Sequence, residues 1–137
     1  MSVQTVHQAE ATFMLVDAEE KPTNPSTGAS PITRARFSVV YEGELAGRSV
    51  LAELHRILPD GSLHIYGKER FIGSLKGRQG SFDLEHDGRF ASGRLVSTRS
   101  IVPGSATADL AGLQGGYTFR SGLAEAFALT LEYWFDD

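Results

Sequence analysis

Between Ala9 and Phe135 apolar and polar residues alternate with a period of two over most of the chain, as strands with one buried face require. Ala9 to Asp17 sets Phe13 and Leu15 on one face and Thr12, Met14 and Val16 on the other. Ile32 to Tyr41 is again strand-like and ends at the turn Glu42-Gly43-Glu44. Leu45 to Leu58 interleaves apolar and polar residues as far as Pro59-Asp60-Gly61. That triplet predicts a reverse turn, because proline presets one backbone angle and glycine supplies a positive one. Ser62 to Ile72 and Gly77 to His86 follow as strands, with Asp87-Gly88 expected as a tight hairpin. Arg89 to Val102 is extended until Pro103-Gly104. Asp109 to Gly116 is expected as a short helical turn or loop, since its glycines weaken any longer helix. Tyr117 to Arg120 and Glu125 to Phe135 close the series. The last is the cleanest, with Phe127, Leu129, Leu131, Tyr133 and Phe135 on one face.

Many strands, evenly spaced turns and no amphipathic helix predict an all-β, antiparallel sandwich or barrel. About eight strands is the number at which a closed barrel is filled by side chains or holds one small ligand. Closure also removes exposed sheet edges. Periodicity does not separate barrel from sandwich. One stretch breaks the pattern: residues 18–31 contain three prolines without apolar periodicity and are expected as a long loop. The 137 residues suit a single domain, 1–137.

Composition narrows the function classes. The net charge is −4, the pI is near 5.5 and basic residues are scattered, so the positive surface that nucleic-acid binding needs is missing. There is no cysteine, hence no disulfide, thiolate metal site or thiol nucleophile. The first residues lack a basic region followed by an apolar run, and no stretch is long enough to cross a bilayer as a helix. A cytoplasmic protein without a membrane or nucleic-acid partner is the expectation.

Several blocks then stand out in order: ITRARF from Ile32, YEGELAG from Tyr41, ERFIGSLKGRQGSFDLEHDG from Glu69, IVPGSATADLAGLQG from Ile101 and LEYWF from Leu131. Together they resemble a bacterial family of proteins of unknown function, DUF3224, over Ile32 to Phe135. The resemblance implies an eight-stranded antiparallel barrel like that of allene oxide cyclase, often packed as a homodimer. It also implies a possible activity, a cofactor-independent cyclase or isomerase acting on a hydrophobic unsaturated substrate. Where members often carry a glutamate followed by an aromatic residue this chain has Ala52-Glu53, so an acidic role at that place is shifted or lost.

Candidate chemistry follows from strand parity. Glu69 shares a face with Leu63, Ile65 and Phe71; an inward carboxylate there is fit for general acid or base work, or for an ion pair that holds the barrel in register. His86 follows Phe82 and Leu84 just before Asp87-Gly88, as a proton shuttle at the barrel mouth or a histidine capping a turn. Arg99 falls with Leu95, Ser97 and Ile101, to bind a substrate carboxylate or to salt-bridge Glu69. Phe37, Ile65, Phe82, Leu84, Leu131 and Tyr133 are the expected pocket lining. The histidines lack metal-site spacing, so no metal is expected. The glycines of GSLKGRQGS join two strands and lack a G-K-[ST] ending, so they serve turns and bulges, not phosphate. The leading functional expectation is a barrel that binds a small hydrophobic ligand, with no cofactor; the cyclase or isomerase is the alternative.

Overall fold

The computed structural model describes residues 5–23, 32–121 and 126–136. Its strands are β1 (His7–Thr23), β2 (Ile32–Gly43), β3 (Leu45–Ile57), β4 (Leu63–Leu75), β5 (Arg78–Ala91), β6 (Arg94–Ile101), β7 (Leu113–Ser121) and β8 (Ala126–Phe135). Each pairs antiparallel with its successor and β8 returns to β1, giving the closed eight-stranded barrel that the alternation predicts. A one-turn 3-10 segment, Ala108–Leu110, interrupts the β6–β7 connection. No helix among the described residues is long and apolar enough to cross a membrane.

Two local expectations are corrected. The loop expected over residues 18–31 begins later, because β1 continues to Thr23 and pairs residue by residue with β2 as far as Ile32. Among the described residues β8 pairs with β1 only up to Met14, so the far half of β1 has a single ladder. A proline without an N–H is tolerated on such a half-paired strand, which is why Pro22 does not end it. The rest of the expected loop, 24–31, lies outside the described residues.

The hairpin expected at Asp87-Gly88 lies instead at Ser92-Gly93, where φ is 53° and 76°. Positive φ at both central residues is the two-residue turn whose twist matches paired strands, and Lys76-Gly77 (48° and 86°) repeats it between β4 and β5. A turn at 87–88 would have removed Phe90 from its pairings with Leu63 and Leu95. The displaced turn leaves Gly88 in mid-strand and carries His86 from a strand end into the barrel wall.

One end of the lumen is sealed. Leu45, Leu75, Leu110, Leu113 and Leu131 are almost wholly buried there beneath Phe71 and Phe82, whose ring centroids are 4.8 Å apart. Burying each such side chain contributes about 1.5–3 kcal/mol. The 3-10 segment supplies the plug: Thr107 N–H donates to the Ser81 carbonyl at 2.9 Å, and Leu110 lies against Gly80. A Cβ at Gly80 would approach the Leu110 side chain to 3.0 Å, so glycine is what admits the plug. Gly47, Gly73 and Gly80 form one cross-strand row at this level. The empty row gives the sheet room to coil tightly around the Tyr41 and Phe71 rings, which meet edge to face at 5.4 Å.

Towards the opposite end the inward residues Phe37, Glu53, His55, Ile65, Phe90 and Leu95 are only partly buried. The outer wall of β3 and β4 carries exposed Val50, Leu54, Tyr66 and Ile72, the last 64% exposed.

Candidate functional site

Midway along the lumen, six polar side chains come together, one from each of β2 to β7: Tyr41, Ser49, Glu69, His86, Arg99 and Tyr117, with Ser97 of β6 buried beside Arg99. Strand alternation puts them inside, and register brings them together. His86, Arg99 and Tyr117 are successive partners in one row across β5, β6 and β7. Glu69 pairs with Leu84, one inward step from His86.

Glu69, 1% exposed, is the hub. Its Oε2 accepts hydrogen bonds from the hydroxyls of Tyr41 and Ser49, and His86 Nε2 lies 2.7 Å from Oε1. Burial alone would raise this carboxyl. The His86 hydrogen bond, a positive charge on His86, the Arg99 guanidinium and the Ser49 hydroxyl lower it, and the net result lies below the usual range. For His86 burial dominates and, with Arg99, outweighs Glu69 to push the imidazole below its usual value. These directions conflict over one proton, since an imidazolium lowers Glu69 most. We assign a neutral His86 beside an ionised Glu69, because burial and Arg99 both oppose a second cation, while two hydroxyl donors and Arg99 suffice for the carboxylate.

This assignment fixes the tautomer. A carboxylate only accepts, so His86 Nε2 carries the hydrogen and Nδ1 is a bare lone pair. Nδ1 is buried and has no hydrogen-bond partner among the described residues.

On the other side of Glu69 the hydrogen bonds have a direction. The one Tyr41 hydroxyl hydrogen goes to Glu69, so the Tyr41 oxygen accepts from the Tyr117 hydroxyl 3.3 Å away. The Tyr117 oxygen in turn accepts from Arg99 Nη1 at 3.0 Å. A polarised relay thus joins cation to anion, each bond strengthening the next. Arg99 also donates from Nε to Ser97 at 3.4 Å and lies 4.8 Å from the centre of the Phe13 ring. Burial raises both tyrosines, Tyr41 well above the usual value, so both hold their protons at neutral pH.

Of the residues singled out by sequence, Glu69, His86 and Arg99 are therefore brought into one cluster. Arg70, next to Glu69, faces outward and pairs with Asp83 at 3.0 Å. Among the expected pocket residues, Phe82, Leu84, Leu131 and Tyr133 are packed into the buried core, whereas Phe37 and Ile65 border the partly open half. Sequence reasoning did not single out Tyr41, Ser49 and Tyr117 as site residues. Tyr41 shares parity with Phe37 and Val39, and Ser49 with Leu45 and Leu51, so the signal was there in the alternation. A second polar pair lies nearer the mouth, where His55 Nε2 meets Glu53 Oε1 at 2.9 Å. No group of three or more histidine, aspartate or glutamate side chains among the described residues could hold a metal ion.

A groove of about 480 Å³ lies along β2, β3 and β4, lined by Arg36, Ala52, Glu53, Leu54, Tyr66 and Lys68 among others. It is concave but shares none of the cluster's six side chains. We place the candidate site in the lumen, where perturbed protonation, burial and an unsatisfied acceptor coincide.

Comparison with known proteins agrees with this architecture and assigns no chemistry. No curated protein matches the chain. A crystal structure of a protein of unknown function from the DUF3224 family of Shewanella oneidensis has the same fold, with a TM-score of 0.77 and 27% sequence identity, covering 97% of this chain and 100% of that one. The family described as protein of unknown function (DUF3224) matches residues 9–133, nearly the whole barrel, and the chain belongs to that family.

Proposed function

We propose that the barrel is a cytoplasmic small-molecule-binding protein that takes a hydrophobic ligand into the mouth half of its lumen. The apolar body of the ligand lies against Phe37, Ile65, Phe90 and Leu95, and its polar end meets the cluster around Glu69 and His86. This combination of apolar walls with a few convergent polar groups is the usual make-up of a ligand pocket. The observation that carries the reading is His86 Nδ1, a buried acceptor without a protein partner. Leaving such an atom unsatisfied costs about 1–3 kcal/mol, which a ligand hydrogen bond recovers.

A cyclase or isomerase is the second reading, favoured by the Glu69–His86 contact itself. A carboxylate that orients a neutral imidazole leaves Nδ1 as a base, and the relay ending at Arg99 is placed to stabilise developing negative charge. Glu69 orients, His86 moves the proton and Arg99 steadies charge through Tyr117.

Native mass spectrometry of the protein mixed with a panel of lipid-like and polyketide-like molecules tests both readings. One bound molecule per chain, recovered unchanged, supports binding; recovery as a rearranged isomer supports the enzyme. A chain that retains none of them contradicts both. The same spectrum reads the homodimer that the family resemblance implies, in which Val50, Leu54, Tyr66 and Ile72 on the outer wall would be covered.

A further inference from the structure

We infer that the groove along β2, β3 and β4 is a second binding site, and that it takes an amphipathic organic anion, a flat apolar body ending in a carboxylate, sulfonate or phosphate. The site is separate from the lumen and does not depend on a ligand there. Its shape comes from one cross-strand row, Arg36, Ala52 and Lys68, which are partners across the three strands. Row neighbours stand about 5 Å apart, and Ala52 carries a single carbon between two long side chains, so the surface dips there. The next row, Arg34, Leu54 and Tyr66, continues the depression, and the whole encloses about 480 Å³. All six of these residues are exposed. Ala35 and Glu53 also border the groove, but they alternate with the six along their strands and belong to the lumen face. Glu53 turns its carboxylate to His55 at 2.9 Å.

Two properties of the lining name the occupant. Leu54 and Tyr66 give the groove an apolar floor that stays in contact with water. Arg34, Arg36 and Lys68 give it a cationic rim, and none of them makes an ion pair among the described residues. Glu19, the β1 partner of Arg36, is the outward carboxylate at the edge, so positive charge outnumbers negative three to one. The surrounding face has the same sign: Arg48 and Arg56 also point outward from β3, although the whole chain carries −4. A cationic patch on an anionic protein concentrates small anions locally. Guanidinium groups pair with carboxylate or phosphate through two parallel hydrogen bonds and stack on aromatic rings. The apolar body of the ligand would rest on Leu54, Tyr66 and the hydrocarbon stems of the rim. A neutral ligand leaves the cations uncompensated, and an inorganic anion leaves the floor wet. A molecule with both parts uses both.

The test uses the full chain with anilinonaphthalene sulfonate, an aromatic anion that fluoresces when bound, and phenylnaphthylamine, the same ring system without the sulfonate. One equivalent of the sulfonate should bind, and the neutral analogue should displace it at least about tenfold less well, the ratio that one charge-assisted hydrogen bond supplies. Arg36→Glu and Lys68→Glu should each weaken the sulfonate at least about tenfold. Ala52→Gln fills the dip without changing charge and should weaken it to a similar degree. All three positions are exposed, so each variant should keep the melting temperature of the unaltered protein; should one melt early, the other two carry the test. Sulfonate binding unchanged in the folded variants puts the dye in the lumen and overturns the groove site. Equal displacement by the neutral analogue overturns the requirement for an anion. A chain that binds no sulfonate also overturns the proposal, and its sedimentation with phosphatidylglycerol vesicles would then assign this face to a membrane.

Discussion

Replacing Glu69 by alanine is expected to cost about 3–5 kcal/mol of stability, the penalty for removing one partner from a buried charge pair. Three donors, on Tyr41, Ser49 and His86, lose their acceptor together, and Arg99 loses the anion that compensates it. In a domain of this size the loss lowers the melting temperature by roughly 10–20 °C. Glu69→Gln keeps the volume and one acceptor oxygen but leaves the guanidinium unbalanced, so it falls between alanine and the unaltered protein. Glu53→Ala is the contrast. Among the described residues its side chain bonds to His55, and both side chains are mostly buried, so truncation strands one group, not three, and costs about 1–3 kcal/mol. Thermal or urea unfolding of the three variants distinguishes a buried hub from one carboxylate among many. Equal losses for Glu69→Ala and Glu53→Ala would contradict the hub.

The second large effect concerns pH. His86 is lowered from its ordinary 6.5, so it penalises the folded state only once the unfolded chain begins to take up a proton. Its contribution is therefore complete above pH 6.5 and is lost as pH falls towards the folded value. Glu69 acts in the same direction further down: lowered from 4.5, it contributes stability above that value that is lost as pH falls through the folded value. Tyr41 and Tyr117 act at the alkaline side, because raised values mean stability is lost as pH rises past 10.0, where the unfolded tyrosines ionise first. Melting temperature should form a plateau near neutrality with shoulders on both sides. The acid shoulder of His86 has a limiting slope of about 1.4 kcal/mol per pH unit. In His86→Gln the first acid shoulder disappears and only the lower, carboxylate shoulder remains. Superimposable melting curves for the two proteins between about pH 7 and 5 would remove His86 from the account.

Strand parity was enough to place Glu69, His86 and Arg99 inside a barrel and Arg70 outside, because the side-chain period of a strand is two whatever the register. Parity carries no information on depth along the barrel axis. That is why Phe82, Leu84, Leu131 and Tyr133, correctly inward, lie in the packed core and not beside Phe37 and Ile65. Depth is set by register, and register depends on which Gly-containing dipeptide makes each turn. Asp87-Gly88 and Ser92-Gly93 are both competent; the choice of the second came from the pairing of Phe90 with Leu63 and Leu95, a tertiary fact. The same displacement turned His86 from a residue at the mouth into one that is 1% exposed. Tyr41 and Tyr117 show the other limit. A tyrosine on an apolar parity reads as core, and only assembled strands from β2 and β7 show its hydroxyl to be a link between Arg99 and Glu69. The β1 extension past Pro22 was hidden because proline is a loop signal unless its strand is paired on one side only.

The central claim is that His86 holds a bare Nδ1 for a lumen ligand, and nitrogen NMR of the protein carrying isotope-labelled histidine tests it most directly. The free protein at neutral pH should show a neutral His86 with its hydrogen on Nε2 and an Nδ1 signal typical of an unprotonated nitrogen. Addition of decanol should move that signal towards the hydrogen-bonded range and saturate at one equivalent. An imidazolium at His86 in the free protein, or an Nδ1 signal unmoved while decanol binds, would contradict the account.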